Sequence, residues 1–308
     1  MHLKENIKND NPFPMATTTN LCSKLTIENV NMILQYIGRG HLQPLLTVNS
    51  FFYSITLQRL YHTIIFHSPT NSINLFHMLL WNPSLPPLIC TLDVNFAMVS
   101  PTWNLYLLFH SILLHLFTLL SLTIKLPRHH LPMWIFEGCM FKLMQFTLSH
   151  HCHLPLAHFL DSQPGFTNLM LHGFQNDNTS SMLSFLDPPL SHTTTTSQHF
   201  SLLPKSFPNL TTFNAIHIGT PIVHTIMMGR PICIISIPLF PGCMEESFSM
   251  LQVGSGDLRR LSMISFDLQA PHFLFEVVKR FRKLEVLHLI VLMVDFMNVC
   301  IGFFPFFS

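Results

Sequence analysis

One pattern recurs along two thirds of the chain and restricts its fold more than any other feature. An aliphatic residue or Phe is followed by another three positions on and a third two positions later. It starts at Ile89 (ICTLDV), Leu119 (LLSLTI), Leu143 (LMQFTL), Phe166 (FTNLML), Leu210 (LTTFNA), Ile232 (ICIISI), Leu258 (LRRLSM) and Leu284 (LEVLHL). Side chains two apart on a strand point the same way, so the last two apolar positions of each copy face one interior while their neighbours face out. Copies at a regular spacing predict stacked structural units, each a strand with a return segment. The fold class is therefore α/β, with parallel strands and helices, and Leu122, Ile124, Leu169, Leu171, Leu287 and Leu289 are expected to be buried.

The starts are spaced by 30, 24, 23, 44, 22, 26 and 26 residues. Apart from the first and the fourth, these lie in the range of about 20–29 residues typical of leucine-rich repeats. The longest spacing contains QNDNTSS and PPLSHTTTTSQ, so it holds either a loop insertion or one degenerate repeat. Ahead of Leu284, HFLFEVVKRFRK reads as an amphipathic return helix. Its inward residues are expected to be Phe273, Val277, Val278 and Phe281, with Glu276, Lys279 and Arg282 outward.

The repeat bears on LYLLFHSILLHLFTLLSLTI, Leu105 to Ile124, which runs without a charged side chain and is long enough to cross a bilayer. A membrane-anchored protein held through 105–124 is one reading. Yet His110, Ser111, His115, Thr118, Ser121 and Thr123 would each need a partner in lipid. The repeat phase instead assigns Leu105–His115 to a helix and Leu119–Ile124 to a strand, which is the favoured reading. A membrane is thus not the expected partner.

Charged residues are 10% of the chain and the formal net charge is +1. No basic stripe exists, and the run KRFRK at Lys279 reads as a solvated helix end, so nucleic acid is excluded as a partner. Seven scattered cysteines without a C-x-x-C pair point to a reducing compartment, cytoplasmic or nuclear. The run SHHCHLPLAH gathers His150, His151, Cys152, His153 and His158, but ligands in consecutive positions diverge on a strand or loop, so no metal is expected. No G-x-S-x-G, P-loop, G-x-G-x-x-G or H-E-x-x-H occurs, and no catalytic residue or cofactor is assigned. VGSGDL at Val253 marks a turn.

Residues 1–20 read as a disordered leader. The segment 21–68 reads as a short helical module and 69–308 as the repeat domain. In the module Val30, Ile33, Leu34 and Ile37 fall at helical spacing, with Thr26 as the cap and Gly38 and Gly40 ending the helix. A second helix carries Leu42, Leu45, Leu46 and Val48, and a third Phe52, Ile55, Leu57 and Leu60. Three helices in so few residues bury little by themselves and should lean on another surface.

The order Leu25, Glu28, Ile33, Leu34, Leu42, Leu45, Val48, Phe52, closed by LQRLYHTIIF, resembles the F-box, notably that of large fungal families. Thr26 stands where that family has Pro, and the third helix lacks a Trp. The resemblance, with the repeats, implies an F-box-like protein with a leucine-rich-repeat domain. It would be a non-catalytic substrate receptor whose module holds the Skp-type adaptor of a cullin ubiquitin ligase while the repeats hold a protein target. Adaptor contact would then fall to Leu25, Ile27, Ile33, Leu34, Leu42, Leu45, Val48 and Phe52. The other reading without catalysis is a repeat-type protein-binding module that has no ligase partner.

Overall fold

The computed structural model describes residues 26–96, 102–126, 132–149, 152–173, 200–216, 218–239, 242–254, 257–265 and 270–291. The chain divides into two compact units, Met1–Leu60 and Tyr61–Ser308.

The first unit is helical. Thr26, extended at φ −70°, caps α1 (Ile27–Gln35) by accepting from the Asn29 N–H at 3.3 Å. The helix closes at Tyr36, earlier than expected, because Gly38 is extended (φ −61°) and caps α2 (Arg39–Leu42) instead of ending α1. A 3-10 turn, Gln43–Thr47, leads to α3 (Ser50–His62), whose first turn is held by the Asn49 side chain accepting from the Phe52 N–H at 2.9 Å. Val30, Leu34, Leu42 and Ile55 form the core, with Ile37, Leu45, Phe51, Phe52 and Leu60 packed on it.

In the second unit, nine strands among the described residues form one all-parallel sheet in sequence order. They are β1 (Thr63–Phe66), β2 (Thr91–Asn95), β3 (Ser121–Lys125), β4 (Gln145–Ser149), β5 (Asn168–His172), β6 (Thr212–Ile216), β7 (Ile234–Leu239), β8 (Arg260–Ser265) and β9 (Val286–Val291). The return segments include α4 (Pro69–Trp81), α5 (Trp103–Leu113), α6 (Leu154–Asp161), α7 (Thr220–Met227), α8 (Met244–Gly254) and α9 (Ala270–Arg280). The second aliphatic of each copy forms a register-paired row: Leu92, Leu122, Phe146, Leu169, Phe213, Ile235, Leu261, Leu287. From Leu92 to Leu261 every member of that row is at most 1% exposed. The leading aliphatics Ile89, Leu119, Leu143, Phe166, Leu210, Ile232 and Leu258 form a second buried row.

The backbone repeats as well. Just before each strand from β3 to β9, two successive N–H groups share the carbonyl one repeat back. Leu120 and Ser121 donate to Cys90, Met144 and Gln145 to Leu120, and so on to Glu285 and Val286 on Arg259, all at 2.8–3.1 Å. A carbonyl with two lone pairs satisfies both donors, which fixes the step from one strand to the next.

Several expectations are corrected. Thr63–Phe66, grouped with the helical module by sequence, is a strand of this sheet, pairing Ile64 with Leu92 and Phe66 with Val94. Leu287 and Leu289 are half-buried, not buried, since β9 has a neighbour on one side only among the described residues. Val277 of α9 and Phe281 just beyond it point inward, but Val278 is 71% exposed and Glu276 is buried. Glu276 turns in because Arg280 meets it, Nε to Oε2 at 2.9 Å, while Nη2 of Arg280 also bonds Glu245 of α8 at 2.7 Å. The side chain of Phe273 lies outside the described residues.

The segment 105–124 is α5, a turn and β3, and no helix among the described residues is long and apolar enough to cross a membrane. The single spanning helix that an anchor through 105–124 would use is not formed. Four of the segment's polar side chains, His110, Ser111, His115 and Thr118, have partners within the protein. His110 Nδ1 lies 2.9 Å from the Ile135 carbonyl, Ser111 Oγ donates to Leu107 at 2.9 Å, and His115 Nδ1 lies 2.7 Å from the Ser111 carbonyl. Thr118 Oγ1 donates to the Pro87 carbonyl at 2.8 Å, tying this repeat to the one before it.

β5 pairs directly with β6, so no strand of the sheet stands between them across the long spacing. The chain's return from it is fastened by Asp161, whose carboxylate accepts from the Ser206 hydroxyl and from the Leu203 N–H. Arg230 completes the fastening. Its guanidinium, buried, donates to the carbonyls of Ser206 (2.8 Å), Thr225 (2.6 Å), Ile226 (2.7 Å), Met228 (3.2 Å) and Leu203 (3.2 Å), and sits 5.1 Å from the Phe207 ring centre.

Packing between the return helices is close at Gly254, where an added Cβ would stand 2.8 Å from Cβ of Met227. Overpacking of this kind costs about 1–3 kcal/mol. Alanine gains at most about 1 kcal/mol of helix propensity over glycine, and less at a helix end. Gly254→Ala is therefore expected to lose about 1 kcal/mol net, read as a lower urea midpoint with an unchanged slope.

Candidate functional site

The apolar side chains of the first unit divide into two sets. Of the anchors expected from sequence, Leu34 and Leu42 are 2% and 1% exposed and belong to the core, so they hold the unit together and offer nothing to a partner. Leu45 and Phe52 are half-buried against that core. Ile27, Ile33 and Val48 are exposed by half or more. Leu25 lies outside the described residues.

Sequence reasoning missed Met32, Tyr36 and Tyr53, which are exposed as well, Tyr36 at 90%. On α1, Val30 and Leu34 are four apart and mark the inward face; Met32 lies on the opposite side with Tyr36, its own i+4 neighbour across the helix end. α1 is thus apolar on both faces. A helix of that kind in a small unit presents one face for another surface. The available signal was Met32 and Tyr36 at i, i+4, out of phase with Val30 and Leu34. Glu28, in the first turn, has its carboxylate pKa held below the ordinary value by its backbone N–H and the Thr26 hydroxyl.

The second candidate surface is the face of the sheet that the buried rows leave open. Along β2–β6 it carries hydroxyls, amides and imidazole, in register: Thr91, Ser121, Gln145, Asn168 and Thr212 in one row. The next row runs through Asp93, Thr123, Thr147, Met170 and Asn214. Ser121 donates to Gln145 Oε1 across two strands at 3.4 Å. From β1 to β9 the charged residues at these outward positions are Asp93, Lys125 and Arg260 alone. Oδ1 of Asp93 is buried with no hydrogen-bond partner among the described residues, an acceptor that a bound donor would satisfy.

Burial pushes the thiols of Cys139 and Cys152 and the phenol of Tyr106 up to about 12, which keeps the thiols protonated and weak as nucleophiles or metal ligands. Among the described residues no three His, Cys, Asp or Glu side chains come together as a metal site. Of the histidine-rich run, His150 and His151 lie outside the described residues, and His153 precedes α6 as its N-cap. No protein-family model matches the chain, and no curated protein matches it.

Proposed function

We propose that the chain is a non-catalytic substrate receptor of a Skp/cullin/F-box type ubiquitin ligase, acting in the cytoplasm or nucleus. The first unit serves as an F-box-like module for the adaptor, and the nine-stranded unit as a leucine-rich-repeat solenoid whose open face holds a protein target. The observation that carries this reading is the division of the module's apolar residues. Val30, Leu34, Leu42 and Ile55 satisfy its core, while Ile27, Ile33 and Val48, in the order of the resemblance, remain exposed beside Met32, Tyr36 and Tyr53. A receptor of this kind contributes no reacting group. It accelerates ubiquitin transfer by holding the target near the enzyme that carries ubiquitin.

A direct titration of the chain with a Skp-type adaptor tests the proposal. Central interface side chains are each worth about 2 kcal/mol or more on truncation. Ile33→Asp is therefore expected to weaken adaptor binding by about 30-fold or more while leaving thermal unfolding unchanged. Leu34→Ala is expected instead to destabilise the first unit itself, by about 2–5 kcal/mol. A folded wild-type chain that does not bind the adaptor at high micromolar concentration would refute the ligase role. The second reading, a repeat-type binding module without a ligase partner, would then stand, and the burial of Leu34 and Leu42 with Thr26 at the family's Pro position favours it.

A further inference from the structure

The open face of the sheet changes chemistry between its two halves. Along its third row β2–β5 carry Asn95, Lys125, Ser149 and His172. Over the last three strands the same row becomes Pro238, Ile264 and Ile290, paired side by side. Ile290 is 53% exposed. Strands lie about 4.8 Å apart, so the aliphatic row is about 10 Å wide, enough for one or two large side chains. Ser236, Ser262 and His288 border it on one side. Beyond them, on β8, stands Arg260, four residues before Ile264 and thus about 13 Å away along the strand. Arg260 is the one charge at the outward positions of β7–β9, and it makes no ion pair among the described residues. Its neighbour Arg259, also exposed, is matched by Glu285 at 4.0 Å.

We infer that the open face of β7–β9 binds an extended peptide segment bearing a carboxylate side chain and, about four residues away, a large aliphatic side chain. The carboxylate meets the Arg260 guanidinium, the aliphatic group covers Pro238, Ile264 and Ile290, and the serines between accept or donate to the peptide's polar groups. The inference rests on the reading that this sheet holds the target, and it gives that target a local chemistry: acidic, then apolar. Charge complementarity sets the choice, because no acidic side chain of these three strands faces out to answer Arg260.

The test uses the full chain and a blocked, fluorescein-labelled peptide with one glutamate four residues before a pair of leucines, the other positions being serine and glycine. Anisotropy is expected to show saturable binding. Replacing the peptide's glutamate by glutamine, or Arg260→Gln in the protein, should each weaken it about fivefold, the size of one exposed ion pair, and the two together no further. Raising salt to about 0.5 M should remove the same increment. Ile290→Ser should weaken both peptides alike, with unfolding midpoints unchanged in either variant. Equal binding of the two peptides, or no binding by the folded chain, would overturn the inference. So would light scattering that shows a dimer broken by Ile290→Ser, which would give the face to a second copy. Adaptor binding is read in its own titration, so a failure there leaves this result standing.

Discussion

Leu122→Asp is expected to unfold the second unit. Leu122 is fully buried in the row shared with Leu92 on one side and Phe146 on the other, so the new carboxylate would have apolar neighbours before and behind. An unpaired charge in such a place costs several kcal/mol, a large part of the about 5–15 kcal/mol by which domains are stable. Stacked units share their interfaces, so the loss is not confined to one strand. The acid in the folded state would be held protonated, with a pKa above its unfolded value of about 4. Between those two values the folded form binds more protons, so stability falls as pH rises. Leu122→Asp should therefore recover part of its loss at about pH 4, while Leu122→Ala, which leaves a cavity, should lose about 2–5 kcal/mol at every pH. Circular dichroism melts of both variants at acid and neutral pH check this. A Leu122→Asp chain that melts like wild type at neutral pH would contradict the phase of the repeat.

The interior rows were legible because each copy spells the same three inward positions with the same chemistry. Where a copy departs from that chemistry, the sequence misleads. β1 escaped because Tyr61 stands where the other copies have Leu, Ile or Phe, and its hydroxyl, 3.6 Å from Met78 Sδ, lets it lie half-buried. Glu276 escaped because an acid on an amphipathic helix is read as outward. Its burial follows from Arg280, one turn on, which meets it at 2.9 Å, with Lys279 at 3.8 Å. The half-burial of Leu287 and Leu289 goes with β9 having one neighbour among the described residues, which no local pattern encodes.

The candidate adaptor surface was legible in order but not in depth. Ile33 and Leu34 are adjacent and chemically alike, yet one is 51% exposed and the other 2%, because successive helical residues differ by about 100° around the axis. A sequence names such anchors without sorting them into those that build a unit and those that present it. The open face of the sheet was legible only as low charge. Its division into a polar and an aliphatic half appears once the register sets Pro238, Ile264 and Ile290 side by side.

Arg230→Met is the second large effect, and nothing in the sequence around MGRPI announces it. The guanidinium's five hydrogen bonds to carbonyls join the end of α7 to the segment 203–206, where the chain returns to the sheet. Burial lowers the Arg230 pKa and the nearby Asp161 carboxylate opposes that shift. An arginine remains charged through neutrality even so. Methionine matches the length of the stem but leaves those carbonyls without their donor, and removes the cation from the Phe207 ring. Phe207 itself sits at φ +56°, a conformation that an ordinary side chain keeps only where its surroundings enforce it. Removing one partner of a buried charged network costs about 3–5 kcal/mol, and the loss should be the same from pH 6 to pH 9 because no group titrating there is required. Arg230→Lys keeps the charge but offers a point donor in place of a planar fork, so it should recover only part of the loss. Urea unfolding of the three proteins gives the order wild type, Lys, Met. Limited proteolysis should then cut the Met variant soonest between Leu203 and Phe207, where the fastening has gone, and equal midpoints for Met and wild type would show that the fastening contributes nothing.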